Sequence, residues 1–320
     1  MKAKRNRTID LSVVEGKQYL ERCLILNSKT SLDNIINKTI FGDVFNVTTF
    51  LPKQFVDLLI VDPPYNLSKN YHGKTFKKTS DEQYIEYTEK WINAVVPLLK
   101  DNASIYVCCD WQSSPVIGMI LKKYFIIRNR ITWQREKGRG AKRNWKNGME
   151  DIYFATMSRR YIFNVEDVKV RRQVIAPYKV NGVPKDWEMT LGGNFRNTYP
   201  SNFWDDISIP YWSMKENTAH PTQKPEKLLA KLILASSNPN DIVLDPFLGS
   251  GSTSVTAKKL GRRYLGIEQN AQYCVWTEKR LEEADKDMSI QGYVDGIFWE
   301  RNTKYAQEKG KKRKQKVKSI

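Results

Sequence analysis

Histidine and cysteine are scarce in this 320-residue chain, and their scarcity argues against several kinds of site. The two histidines are His72 and His220. Structural zinc sites draw on clustered Cys and His ligands, so the sequence predicts no metal site. The cysteines form no CxxC pair, and we expect reduced thiols without disulfides, as in an intracellular protein. They are Cys23, Cys108, Cys109 and Cys274.

Long apolar runs and acidic residues are also in short supply. No run approaches the ~20 apolar residues that a membrane-spanning helix needs. Residues 1–7 are basic but are not followed by the apolar stretch of a secretory signal. Lys and Arg number 53 against 35 Asp and Glu, which gives a net charge of +18. This excess is typical of proteins with a polyanionic partner, nucleic acid above all, and an anionic membrane surface is the alternative.

Strands alternate with helices over most of the chain. Apolar runs predict strands at 39–41, 56–61, 103–109, 125–133, 151–156, 242–244 and 263–267. Helical periodicity predicts helices at about 80–99, 226–235 and 252–260. This alternation predicts an α/β fold with a doubly wound, mostly parallel sheet. The stretch 134–215 has weak helical periodicity, and we interpret it as a basic loop followed by a small recognition module.

The segment Asp62-Pro63-Pro64-Tyr65 directly follows the predicted strand 56–61. Open α/β sheets bind their ligands at the carboxyl ends of the strands. The prolines fix φ and remove backbone donors, which leaves the Asp62 carboxylate and the Pro63 carbonyl as acceptors beside an aromatic ring. These groups suit a planar ring with an exocyclic amine, such as adenine or cytosine turned out of a duplex. Taken alone, the segment is equally compatible with a Pro-Pro turn at the surface.

A second segment, from Asp245 to Thr253, has the sequence DPFLGSGST and lies between a predicted strand and a predicted helix. A strand, a glycine turn and a helix N-terminus predict a cradle for a nucleotide-like ligand. Glu268 ends the next strand, close to the offset of about 20 residues at which an acidic side chain accepts from ribose hydroxyls. The glycines do not have GxGxxG spacing, which disfavours an NAD(P)-dependent oxidoreductase.

A third segment, HPTQKP at 220–225, lies just before the predicted helix 226–235. Thr222 and Lys224 are suited to bind the carboxylate of an amino-acid-like ligand. The alternative is a proline-bounded start of the helix.

Together the three segments resemble the AdoMet-dependent DNA amino-methyltransferases, and their order is similar to the permuted β group of that family. The resemblance runs from about Gly42 to about Trp276. It implies a seven-stranded-type AdoMet methyltransferase sheet with a small target-recognition insertion, and S-adenosyl-L-methionine as cofactor. It also implies that Asp43 contacts the cofactor's adenine, Phe247 supplies an aromatic contact and Glu268 contacts the ribose. The other cofactor positions that we infer are Asp62, Thr222, Lys224, Asp245, Gly249, Gly251 and Thr253.

The resemblance also divides the chain into segments. They are an N-terminal extension (1–38), the catalytic half of the core (39–154), the target-recognition region (155–215), the AdoMet-binding half (216–285) and a C-terminal extension with a basic tail (286–320).

The implied chemistry is direct, in-line transfer of a methyl group to the N6 amine of a flipped adenine. Asp62 and the Pro63 carbonyl would accept the amine protons, Pro64 would stiffen the turn and Tyr65 would stack on the base. Asp at the first position resembles the adenine-N6 enzymes, with N4-cytosine as the alternative. Cytosine C5 methylation is disfavoured because the chain has no Pro-Cys dipeptide. An RNA methyltransferase and a non-catalytic DNA-binding protein with this fold are weaker alternatives.

The expected partner is double-stranded DNA, with single strands as an alternative, in the cytoplasm and nucleoid of a bacterium or its phage. A homodimer and a restriction endonuclease acting on the same site are further expectations. The tail 309–318 is rich in Lys and Arg and is either solvated or bound to phosphates. A basic run after the strand 125–133 is our candidate for DNA contacts. It comprises Arg135, Lys137, Arg139, Lys142, Arg143 and Lys146.

Overall fold

The computed structural model describes residues 3, 5–71, 74–135, 142–174, 179–190 and 193–300. The predicted DNA contacts Lys137 and Arg139, and the basic tail 309–318, lie outside these residues. Within the described ranges, no helix combines the length and the apolar character needed to cross a bilayer.

Strands and helices follow one another along the chain. The strands are β1 (Lys38–Phe41), β2 (Val56–Val61), β3 (Lys69–Tyr71), β4 (Lys74–Phe76), β5 (Leu99–Cys109), β6 (Ile126–Gln134), β7 (Met149–Thr156), β8 (Val170–Gln173), β9 (Lys179–Val180), β10 (Val183–Pro184), β11 (Glu188–Thr190), β12 (Gly193–Thr198), β13 (Phe203–Trp204), β14 (Ile242–Asp245), β15 (Arg263–Glu268), β16 (Tyr293–Val294) and β17 (Ile297–Trp299). The α-helices are α1 (Lys17–Leu20), α2 (Leu32–Ile35), α3 (Val44–Val47), α4 (Asp81–Val95), α5 (Ser114–Tyr124), α6 (Glu226–Ser236), α7 (Ser252–Lys259) and α8 (Ala271–Lys286).

The central sheet has the strand order β1-β15-β14-β2-β5-β7-β6-β13. All its neighbours pair in parallel except β7, which is antiparallel to both β5 and β6. The edge strand β13 has two residues, so the other seven strands form the predicted sheet. The predicted fold class is confirmed.

Helices cover both faces of this sheet. Successive residues of β2 alternate between two apolar clusters: Leu59 and Val61 pack with α4 and α5 on one face, while Leu58 and Ile60 pack with α6 and α7 on the other. This period of two is what a strand buried on both faces requires. The predicted helix 80–99 is too long at its C-terminal end, because Val96–Leu98 form a 3₁₀ turn that contains Pro97 and Leu99 begins β5.

A second, five-stranded sheet has the order β11-β12-β8-β17-β16. Its strand β8 pairs antiparallel with β12 and parallel with β17, so the region 155–215 and the C-terminal residues 286–300 share one sheet. Phe298 and Val170 of this sheet pack against Leu234 of α6, and every residue of α6 is buried. The division of the chain at 215 and 286 stays a prediction, but these two segments are structurally joined.

The topology gathers several chain segments at one edge of the central sheet. The carboxyl ends of the parallel strands β1, β15, β14 and β2 lie there. Because β7 is antiparallel to β5, its first residues, Met149 and Glu150, lie at the same edge. The β6–β7 hairpin (residues 135–148) therefore projects from the edge that carries Asp62, which we call the catalytic edge.

Candidate active site

A cavity of about 360 Å³ opens at the catalytic edge. Four acidic side chains line it: Asp43 after β1, Asp62 after β2, Asp245 at the end of β14 and Glu268 at the end of β15. The volume falls in the range of about 300–1,000 Å³ that is usual for small-molecule sites.

Almost all of the predicted catalytic and cofactor positions line this cavity. They are Asp43, Asp62, Pro63, Pro64, Tyr65, Thr222, Lys224, Asp245, Phe247, Gly249, Thr253 and Glu268. Gly251 is not among the described lining residues. It caps the N-terminus of α7 with φ +82°, and a Cβ there would lie 2.6 Å from a side-chain carbon of Thr277. Gly251 thus shapes the loop, and its predicted contact with the cofactor stays a prediction.

The catalytic segment is held by hydrogen bonds to both oxygens of Asp62. Tyr65 Oη donates to Oδ1 at 2.8 Å, and the Lys224 ammonium donates to Oδ2 at 2.7 Å and to Tyr65 Oη at 3.0 Å. Burial disfavours the charged form of Lys224, but the Asp62 and Glu150 carboxylates outweigh it and raise its pKa. Burial and the same two carboxylates raise the pKa of Tyr65. Lys224 is therefore a cation and Tyr65 a neutral donor. The predicted contact of Lys224 with a cofactor carboxylate stays a prediction.

Glu150 is a buried member of this group that the sequence did not single out. Its Oε2 lies 3.3 Å from Lys224 Nζ and 3.4 Å from Tyr65 Oη. Its Oε1 accepts a hydrogen bond from Arg135, which we had predicted to contact DNA. The available signal was a pair of acidic residues, Glu150 and Asp151, in front of an apolar strand.

The other end of the cavity is built around Asp245 and Glu268. Asp245 accepts from the Phe247 amide at 3.0 Å and from Thr253 Oγ1 at 2.6 Å. Glu268 accepts from the amides of Gly249, at 2.8 Å, and Asn270, at 2.7 Å. Burial raises the pKa of each carboxyl to about 7, although these hydrogen bonds act in the opposite direction. The two acids fix the glycine loop to the ends of β14 and β15.

Aromatic rings wall the cavity close to Asp43. Phe45, Phe76 and Tyr87 line it together with Phe247, and the ring centroids of Phe76 and Tyr87 are 5.7 Å apart. The sequence singled out Phe247 alone, because Tyr87 matched the buried positions of a helix. Flat aromatic walls beside acidic acceptors are suited to a planar heterocycle with amine groups.

The thiol of Cys108 also reaches the cavity. Burial raises its pKa well above the ordinary value, and the Asp62 carboxylate acts in the same direction. A thiol in this state is a poor nucleophile.

The predicted DNA contacts that the structure describes lie on the β6–β7 hairpin. The side chains of Lys142, Arg143 and Lys146 are exposed, and Trp145 between them is 96% exposed. Arg135 differs because its guanidinium forms an ion pair with Glu150 at the base of the hairpin.

Comparisons with known proteins agree with this geometry. The family model described as DNA methylase matches residues 56–279. The DNA adenine methyltransferase YhdJ of Escherichia coli K12 is 33% identical over 262 residues, which cover 80% of this chain and 86% of that protein. This chain belongs to the DNA methylases.

Two further relatives extend the comparison of this DNA methylase. The type II methyltransferase M1.MboII of Moraxella bovis is 32% identical over 74% of this chain and 94% of its own length. The structure of TTHA0409 from Thermus thermophilus, a DNA modification methylase in complex with S-adenosyl-L-methionine, aligns with a TM-score of 0.51 at 19% identity. It covers 82% of this chain and 96% of the Thermus protein, and it shows that the fold is shared. The predicted family is confirmed.

Proposed function

We propose that this DNA methylase transfers the methyl group of S-adenosyl-L-methionine to the N6 amine of adenine at specific sites in DNA. One observation carries the proposal: Asp62 and Tyr65 open into the same cavity as the glycine loop and Glu268. A methyl acceptor and a methyl donor bound at the two ends would therefore meet inside it. The name of the relative YhdJ, a DNA adenine methyltransferase, supports adenine over N4-cytosine.

The lining residues fit the proposed cofactor. Glu268 and Asp43 offer carboxylate oxygens to ribose hydroxyls and to an adenine amine, and Phe247 and Tyr87 offer ring faces. Thr222 and the amides of the glycine loop offer donors to its carboxylate. AdoMet supplies a methyl group that is activated by its bond to a sulfonium sulfur.

The chain's own residues orient and activate the amine. Asp62 and the Pro63 carbonyl accept the two amine protons, which draws the nitrogen lone pair out of the ring and stabilises the positive charge as the C–N bond forms. The Tyr65 ring stacks on the base, a contact worth about 1–3 kcal/mol by analogy with other base–aromatic stacks. After transfer, the excess amine proton leaves to Asp62 or water. The mechanism needs no covalent enzyme intermediate.

The partner is DNA, which the basic hairpin at the catalytic edge would contact through phosphates. The type II methyltransferase M1.MboII among the relatives supports a role beside a restriction endonuclease that acts on the same site. A homodimer and a location on bacterial DNA in the cytoplasm complete the proposal.

Sequencing of genomic DNA tests this function directly. A methylation-deficient bacterial host would express either the wild-type chain or Asp62→Ala, and modified bases would be read by single-molecule sequencing. We expect N6-methyladenine at one short motif with the wild type and none with the variant. N4-methylcytosine would replace our choice of base. An unmodified genome, with a folded protein that binds AdoMet, would contradict DNA as the substrate.

A further inference from the structure

Glu150 has contacts that the proposed chemistry does not yet use. It is 4% exposed and sits on the second residue of β7, outside all the segments that the sequence singled out. Its carboxylate is close to Lys224, Tyr65 and Arg135 at once. Burying a carboxylate is costly unless charged partners surround it, so this arrangement is held in place by both cations.

We propose that Glu150 is a positioning residue for methyl transfer, and that its ion pair with Arg135 connects the catalytic segment to the β6–β7 hairpin. This inference rests on the proposed function of Asp62 and Tyr65.

The first argument concerns the Tyr65 hydroxyl. Both oxygens of Asp62 already accept hydrogen bonds, Oδ1 from Tyr65 and Oδ2 from Lys224. A substrate amine that donates to Asp62 competes with the Tyr65 proton for Oδ1. Glu150 Oε2 lies 3.4 Å from Tyr65 Oη and is a second acceptor for that proton. Tyr65 can therefore release Asp62 to the amine and still keep a hydrogen bond in a buried place.

The second argument concerns Lys224, which is 7% exposed. Its ammonium lies 2.7 Å from Asp62 and 3.3 Å from Glu150. With one carboxylate on either side, the cation keeps a partner when Asp62 turns to the amine. Without Glu150, Lys224 would hold Asp62 as its single carboxylate partner and would compete with the substrate for it.

The third argument concerns the hairpin. The Arg135 amide donates to the Gly148 carbonyl at 2.7 Å, which closes the base of the hairpin, while its guanidinium binds Glu150. Arg143 and Lys146 lie further out on the same hairpin and are exposed. A force that DNA applies to the hairpin thus reaches Tyr65 and Lys224 through two side chains.

The experiment measures transfer of tritiated methyl groups to genomic DNA from a methylation-deficient host, under single-turnover conditions. The variants are Glu150→Met, which has a similar size and no carboxylate, Glu150→Gln, which keeps an acceptor oxygen, and Arg135→Gln. Arg130→Gln is the matched control, because Arg130 also lies on β6 and faces an acid of β7, Asp151, at 3.9 Å. Calorimetry gives AdoMet affinity, and thermal unfolding gives stability.

We expect Glu150→Met to slow transfer by about tenfold to hundredfold, the usual cost of a misplaced catalytic group, with AdoMet affinity within about twofold of wild type. Glu150→Gln should recover part of the rate, and Arg135→Gln should be slower than Arg130→Gln. A purely structural role would lower stability and leave the turnover of the folded fraction unchanged.

Unchanged transfer by both Glu150 variants, beside an active wild type, would overturn this inference alone. A wild type that does not methylate DNA would overturn the proposed function as well. If the Glu150 variants do not fold, the two arginine variants decide, and equal rates for them would refute the link to the hairpin.

Discussion

At the scale of single residues, Asp62 is the carboxylate on which the proposed reaction depends. Asp62→Asn keeps the shape of the side chain but removes the charge that faces the methylated amine. We expect methyl transfer to fall by about 10²–10³-fold, the usual effect of removing one electrostatic contact to a transition state. Single-turnover transfer of tritiated methyl groups to DNA measures this rate.

AdoMet binding is the internal control for Asp62→Asn, because Glu268 and the glycine loop lie at the other end of the cavity. Calorimetry should give affinities that agree within about threefold. A variant with more than about a tenth of the wild-type rate would show that Asp62 is not the main acceptor of the amine protons.

Glu268 makes cofactor binding depend on pH. Burial raises its pKa to about 7, so the carboxyl is mostly protonated at pH 6 and mostly ionised at pH 8. The ionised form accepts ribose hydroxyls more strongly and attracts the positive charge of the cofactor. AdoMet should therefore bind up to about tenfold more tightly at pH 8 than at pH 6, since that interval spans the titration of one group. Calorimetry at the two pH values measures the change.

Glu268→Gln separates this effect from titration of the ligand itself. Gln keeps the acceptor oxygen and does not titrate, so the part of the pH dependence that belongs to Glu268 should disappear. A variant whose affinity rises with pH as steeply as that of the wild type would assign the effect to another group.

At the scale of elements, the turn between β14 and α7 depends on glycine at position 251. Gly251→Ala places a methyl group in the left-handed region, at φ +82°, and within 2.6 Å of Thr277. The backbone strain costs about 1–2 kcal/mol, and the clash with Thr277 adds to it. We expect lower stability in urea together with weaker AdoMet binding, because the turn carries the Gly249 amide to Glu268.

Gly261→Ala is the matched control for this turn. Gly261 also has a positive φ, +71°, but a Cβ there would meet nothing within 4 Å. It should show the strain without the clash and leave AdoMet affinity unchanged. Equal losses for both variants would mean that the contact with Thr277 is unimportant.

The elements that were predictable from the sequence are the long ones that are buried on both sides. Strands β2, β14 and β15 are uninterrupted apolar runs, and each carries its acidic residue at or just beyond its carboxyl end. The second sheet was not predicted, because its strands have two to six residues, too few for a clear alternation. Helix α8 was also missed, since its second half is mostly charged.

The candidate site shows the same division. Asp62 and Glu268 were predictable because each follows an apolar strand within a recognisable segment. Glu150 was not, since it reaches the cavity only because β7 runs antiparallel to β5. Neither the direction of a strand nor the face of a side chain at its first turn can be read from composition, so this carboxylate came from tertiary structure.

At the scale of the whole molecule, the net charge of +18 implies salt-dependent binding to DNA, and the fold says where on the surface. Arg143 and Lys146 are exposed on the hairpin at the catalytic edge, whereas Lys53 and Lys122 are exposed near the opposite, amino edge of the sheet. Changing Arg143 and Lys146 to Gln should weaken DNA binding and reduce the slope of log K against log salt by up to about 2, because each phosphate contact contributes about 0.9. The matched pair, Lys53 and Lys122 to Gln, carries the same change of net charge and should alter the slope little. Fluorescence anisotropy with duplex DNA at several salt concentrations measures both. Equal slopes for the two double variants would show that the charge acts as a diffuse field, and the hairpin would then have no special place in DNA binding.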